Sequence, residues 1–158
     1  MKVSILCVGK IKEKFYTDAI AEYAKRMTRF ADFEIVEVAD ERIADNASDK
    51  EKELIKEREG EKLLGKLKPD SYAIALCIEG KMLSSTELAQ TIQSAYNRTN
   101  HITFIIGGSL GLSDAVKSRC RLHLSFGRMT LPHQLMRVVL SEQIYRSFMI
   151  NQGSQYHK

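Results

Sequence analysis

The stretch Phe104-Ile105-Ile106-Gly107-Gly108-Ser109-Leu110-Gly111-Leu112 constrains the fold most, because an apolar run passes directly into three glycines within five residues. The run reads as a buried strand, and the glycines let the backbone that follows approach another segment or a ligand closely. Two readings follow from these residues alone. Either the loop binds a ligand, or it turns a corner, as glycine-rich turns after strands do in many α/β proteins.

Upstream, Val3 to Val8 is a short apolar run ending at Gly9, a first strand buried on both faces. Phe15, Ala19, Ile20, Tyr23, Ala24 and Met27 fall mainly at three- and four-residue steps, which predicts an amphipathic helix from Lys12 to Arg29 with these six on its apolar side. Phe33 to Val38 is a second strand. Ser48 with Glu51 three residues on forms a capping box that opens a charged helix to about Leu67. Its charges read as solvated, and Gly60, between two apolar groups, predicts a bend or loosening. Tyr72 to Ile78 is a third strand, Ser84 or Ser85 caps a helix burying Leu88, Ile92 and Ala95, and His101 to Ile106 is a fourth strand. Ser113 and Asp114 start a short helix, Arg121 to Phe126 is a fifth strand, and Pro132 suits the start of a last helix ending near Ile150. Strands alternating with helices give an α/β fold, a mainly parallel sheet with helices on both faces, in one domain over residues 1–158.

The last helix carries Leu135, Met136, Val138, Val139, Leu140, Ile144, Tyr145, Phe148, Met149 and Ile150, more apolar circumference than one sheet face can bury. A homodimer contact is the simplest cover for the excess, and a helix wedged between other elements of the same chain is the alternative. Cys7, Cys77 and Cys120 are odd in number and widely spaced, so they read as thiols of a reducing compartment, not as disulfides or a zinc cluster. No run approaches the roughly 20 apolar residues of a membrane span, and Val3 to Val8 is too short for a signal-peptide core, so a soluble cytoplasmic protein is expected.

The net charge of +4 is unevenly distributed. Residues 1–70 carry 15 Lys and Arg against 16 Asp and Glu, whereas residues 71–158 carry 9 against 4. Between Ala115 and Ser141 there is no acid, while Lys117, Arg119, Arg121, Arg128 and Arg137 are spread through it. Such a surface suits an anionic partner such as RNA, with solvated surface charge as the bland alternative.

Several familiar sites are absent. There is no G-x-x-x-x-G-K-[ST] phosphate loop, no H-E-x-x-H or Cys-x-x-Cys, and no visible metal-ligand set. The glycines do not form G-x-G-x-x-G, and the acid expected about 20 residues on to hold a ribose would fall in the acid-free stretch. What remains is geometric: three loops leaving strand ends, 76–81, 107–112 and 126–131, bear glycine and could hold a small planar ligand by main-chain groups.

Three motifs then stand out together: Ile105 to Leu112, the run from Leu124-Ser125-Phe126-Gly127-Arg128-Met129-Thr130-Leu131-Pro132-His133-Gln134 through Ser141-Glu142-Gln143-Ile144-Tyr145-Arg146, and the terminal Tyr156-His157-Lys158. With Val8-Gly9-Lys10 and the overall length, they resemble the bacterial large-subunit (23S) rRNA pseudouridine N3-methyltransferases of the SPOUT superfamily. The resemblance covers the whole chain. It implies a deep trefoil knot in the carboxyl-terminal half, a homodimer through the last helix, S-adenosylmethionine as methyl donor, and rRNA, expected within the assembled ribosome, as partner. It places the cofactor on Leu76, Gly107, Phe126, Gly127, Arg128, Met129, Thr130 and Leu131. Here Gly127-Arg128 and Leu131 stand where the family commonly has Ser-Lys and Phe, changes that main-chain contacts survive.

Methylation at N3 requires loss of the imide proton, and His157 is the candidate base by titration range and tail position, with a frayed tail as the alternative. Tyr156 could stack on a base. Arg128 would face an anionic partner, Arg137 and Arg146 are candidates for phosphate or dimer contacts, and His133 for orienting the loop beside the RNA. A SPOUT enzyme acting on tRNA and a non-catalytic RNA-binding module are the competing classes.

Overall fold

The computed structural model describes all residues, Met1–Lys158. Its elements run β1 (Lys2–Val8), α1 (Lys14–Met27), β2 (Asp32–Val38), α2 (Asp49–Lys66), β3 (Tyr72–Met82), α3 (Ser85–Tyr96), β4 (His101–Ile106), α4 (Asp114–Arg119), β5 (Leu122–Ser125) and α5 (His133–Asn151). The five strands form one sheet in the order β2-β1-β4-β3-β5, and every pairing is parallel.

Strict alternation divides the strand side chains between two cores. Val3, Ile5, Ile102 and Phe104 face α1, α3 and α5, whereas Leu6, Val8, Ala75 and Ile105 face α2 and α4. Burial on both faces is why these strands are nearly continuous apolar runs. Three of the five helices start on serines: Ser48, Ser84 and Ser113 each accept the N–H three residues on, and Glu87 completes the capping box at Ser84. All three cysteines are free, and burial pushes Cys7 up to about 12 and Cys120 up to about 11.

Tertiary contacts overrule several local expectations. Phe15, at the start of the apolar series of α1, is 65% exposed, while Ile20 and Met27 of the same series are buried. Gly60 does not interrupt α2, which is continuous. A Cβ there would run into the Ser113 Oγ and approach Val116 to 3.2 Å, so the missing side chain lets α2 lie close against the start of α4. The charges of α2 are not all solvated, because Glu59 is 4% exposed. The glycine loop expected at 76–81 is strand: β3 continues through Gly80 to Met82.

Helix α5 lies between α1 and α3, the wedged arrangement. Leu140, Ile144 and Phe148 are buried on the sheet, each stabilising by roughly 1.5–3 kcal/mol. Phe30 and Tyr96 flank the Phe148 ring with centroids 5.4 Å and 6.1 Å away. Leu135, Val138, Val139, Met149 and Ile150 remain half-buried.

Candidate active site

A cleft of about 470 Å³ opens at the carboxyl ends of β3, β4 and β5, within the roughly 300–1,000 Å³ range of small-molecule sites. Its first wall is the loop after β4. A Cβ on Gly107 would lie 2.7 Å from the Gly111 carbonyl carbon, and the Gly111 N–H donates to the Gly108 carbonyl at 3.0 Å. The turn closes on its own main chain, and Gly111 at φ +85° completes it.

The second and third walls are joined by one hydroxyl. Ser125 Oγ donates to the Ile78 carbonyl at 2.8 Å and accepts the Gly127 N–H at 3.1 Å, tying the loop after β5 to β3. Beside it, β3 bulges so that Leu124 pairs with both Leu76 and Lys81. A Cβ on Gly80 would sit 2.6 Å from the His123 carbonyl oxygen, so only glycine lets β3 pass this close to β5.

Leu76, Gly107, Phe126, Gly127, Met129, Thr130, Leu131 and His133 all line the cleft. Arg128 is exposed and lies outside the lining. The lip is apolar and open, with Met129 85% exposed. Ile78 and Glu79, from the expected 76–81 segment, and Lys117, from the basic stretch, also line the cleft, as does Met136, which local pattern did not mark. Lys117 is ion-paired with Glu79 at 3.0 Å, and the Glu79 contact raises the lysine above its ordinary value. His133 is held below its ordinary value by burial and then by the Arg137 charge, so it is neutral at neutral pH.

The phosphate or dimer role expected for Arg137 is corrected by its burial. Its side chain is 0% exposed; Nη1 donates to Glu37 Oε2 at 2.8 Å, and Nη2 donates to the carbonyls of Val8 and Gly9 at 2.9 and 2.8 Å. It clamps the loop after β1 to α5 and has no surface to offer a phosphate. Glu59 supports the glycine loop from the other side: its carboxylate lies 3.1 Å from where a Gly108 Cβ would be, and Oε2 accepts the Glu41 N–H at 3.0 Å. Burial raises its pKa.

A second constellation sits on α5. Glu142 Oε1 accepts from Arg146 Nε at 2.9 Å, from Arg146 Nη2 at 2.6 Å and from the Tyr156 hydroxyl at 3.2 Å. Arg146 Nη1 lies 3.2 Å from His157 Nδ1, and its guanidinium stands 4.8 Å from the Tyr156 ring centroid. The tail is therefore folded onto α5. A guanidinium only donates, so Nδ1 accepts and any proton on the neutral ring is on Nε2. Burial and the neighbouring Glu142 raise the Tyr156 pKa, which keeps that hydroxyl a donor at neutral pH. The sequence reading missed Glu142, although its four-residue spacing ahead of Arg146 is the signal for such a pair. None of these four residues lines the cleft.

No group of three or more His, Cys, Asp or Glu side chains is placed to hold a metal ion, and no helix is long and apolar enough to cross a membrane. A parallel α/β sheet with a main-chain-walled cleft at its strand ends is the architecture in which α/β proteins place small-ligand sites. Residues 1–157 match the family model described as predicted SPOUT methyltransferase, and the chain belongs to that family. It is 55% identical, over the full length of both chains, to proteins of Lactococcus lactis subsp. cremoris (strain SK11) and Latilactobacillus sakei subsp. sakei (strain 23K), and 52% identical to one of Bacillus pumilus (strain SAFR-032). Each of these relatives is named Ribosomal RNA large subunit methyltransferase H.

Proposed function

We propose that this chain transfers a methyl group from S-adenosylmethionine to N3 of a pseudouridine in large-subunit rRNA. One observation carries the reading: Leu76, Gly107 and the loop at 126–131, which the resemblance assigns to the methyl donor, meet in a single cleft. The residues present fit that cofactor. The walls are mostly apolar with main-chain groups exposed between them, and the two lysines of the lining, Lys56 and Lys117, are ion-paired with Glu53 and Glu79. A sulfonium there meets no uncompensated cation on these walls. Bound, it supplies an electrophilic methyl group.

The chain's own task is positioning and proton removal, since a well-oriented pair avoids a large entropic cost. Glu142 fixes Arg146, Arg146 holds His157 by Nδ1, and His157 takes the imide proton once the substrate displaces that contact. Tyr156, anchored to Glu142, offers its ring to the flanking base. Because the cluster does not line the cleft of its own chain, the active unit is a homodimer through α5, one protomer's tail serving its partner's cleft. The open lip of Phe126, Met129 and Leu131 is the surface such a partner would cover.

Calorimetry with S-adenosylmethionine, followed by methyl incorporation into assembled ribosomes, free rRNA and tRNA, tests the reading. Cofactor binding with incorporation into ribosomal RNA is the expected outcome. No cofactor binding would leave an RNA-binding module, and incorporation into tRNA alone would move the enzyme to a different substrate.

A further inference from the structure

We propose that the segment from Lys10 to Tyr16 is a contact for a single-stranded part of the RNA substrate, with Phe15 stacking on an unpaired base and Lys10 and Lys12 holding phosphates. The proposal rests on the rRNA reading above. Phe15 begins the apolar series of α1 yet is 65% exposed, and its aromatic neighbour is the adjacent Tyr16, with ring centroids 4.3 Å apart. Lys10 and Lys12 are exposed and take part in no ion pair, whereas Lys14 is paired with Asp18 at 2.6 Å. Three lysines and one acid, Glu13, surround an aromatic pair within seven residues. Aromatic faces among cations match single-stranded RNA, whose bases stack and whose backbone is anionic. The charge balance by halves hides this patch, because the acids between Asp32 and Asp45 cancel it.

The loop is held rigidly beside the cleft. Its base is fixed by the Gly9 N–H on the Val38 carbonyl at 2.8 Å, by the Ile11 N–H on Glu37 Oε2 at 3.1 Å, and by the buried Arg137 on the carbonyls of Val8 and Gly9. A Cβ on Gly9 would lie 3.9 Å from Nε2 of His133, a lining residue, and a Cβ on Gly108 would lie 3.2 Å from Val8 Cγ1. The base of this loop, at Gly9, therefore adjoins the rim of the cleft at His133.

The test compares the full-length wild type with Phe15→Ala, Phe15→Trp and the double variant Lys10→Gln with Lys12→Gln, measuring methylation of ribosomes, ribosome binding against salt, S-adenosylmethionine affinity and sedimentation. Phe15→Ala is expected to raise KM for the ribosomal substrate about 10-fold with cofactor affinity unchanged, and Phe15→Trp to restore it. The double lysine variant is expected to lower the slope of log affinity against log salt by about 2. An active wild type with unchanged KM and salt slope in the variants overturns the contact alone. A smaller sedimenting species for Phe15→Ala overturns it too, making the patch a contact between copies. A wild type that methylates no ribosomal RNA overturns the underlying function, and this proposal with it.

Discussion

The cleft and the α5 cluster solve opposite problems. The cleft is shaped chiefly by main chain: Gly107 and Gly111 closing a turn, Gly80 passing β5, and Gly127 at φ +116°. The cluster is made of side chains, with Glu142 at its centre and Arg146, Tyr156 and His157 around it. A main-chain site accepts changed side chains on its lip, which is why Gly127-Arg128 and Leu131 leave the cleft intact. It does not accept a Cβ where the backbone closes. A side-chain site has the reverse sensitivity, since each member holds the next.

Damage to the cluster is expected to abolish transfer without touching cofactor binding, whereas damage to the glycines weakens cofactor binding itself and lowers transfer only as a consequence. The largest effect is expected from deleting Gln155 to Lys158, which removes Tyr156 and His157: S-adenosylmethionine binding by calorimetry stays intact and methyl incorporation falls to background. Unchanged turnover would remove the tail from the mechanism. Glu142→Gln comes next, loosening Arg146 and Tyr156 together, with kcat falling about 100-fold in single-turnover assays and cofactor affinity unaltered. Loss of cofactor binding in that variant would mean that the two regions are one site.

Gly107→Ala probes the other side. Its added Cβ must displace the Gly111 backbone, and overpacking of this kind costs about 1–3 kcal/mol, so cofactor affinity should weaken about 10-fold or more. A titration showing wild-type affinity would remove the glycine loop from the cofactor site. The smallest effect, Glu59→Gln, concerns the support beneath Gly108. Because burial raises the Glu59 pKa, the folded state keeps its proton to a higher pH than the unfolded chain, and wild-type stability falls as pH rises through that interval. Glutamine cannot ionise, so chemical unfolding should show the variant gaining on the wild type as pH rises above the ordinary glutamate range. A pH-independent difference would show that folding leaves the Glu59 pKa unchanged.

The sequence by itself determined the element order, the two-faced burial of the sheet and the glycine turn, because these follow from periodicity and from the freedom of single residues along a short window. It also marked the loop at 126–131 through its resemblance. Tertiary structure decided the rest. Arg137 read as a surface cation because its partner Glu37 lies 100 residues earlier and its other acceptors are the carbonyls of Val8 and Gly9. Gly60 read as a flaw in α2 because Ser113, which needs its space, belongs to another element. Phe15 read as core because helical spacing marks a face but not where the covering layer ends. Only the folded chain brings Glu142 to Tyr156 and His157, since which side chains meet depends on how α5 and the tail turn back on one another.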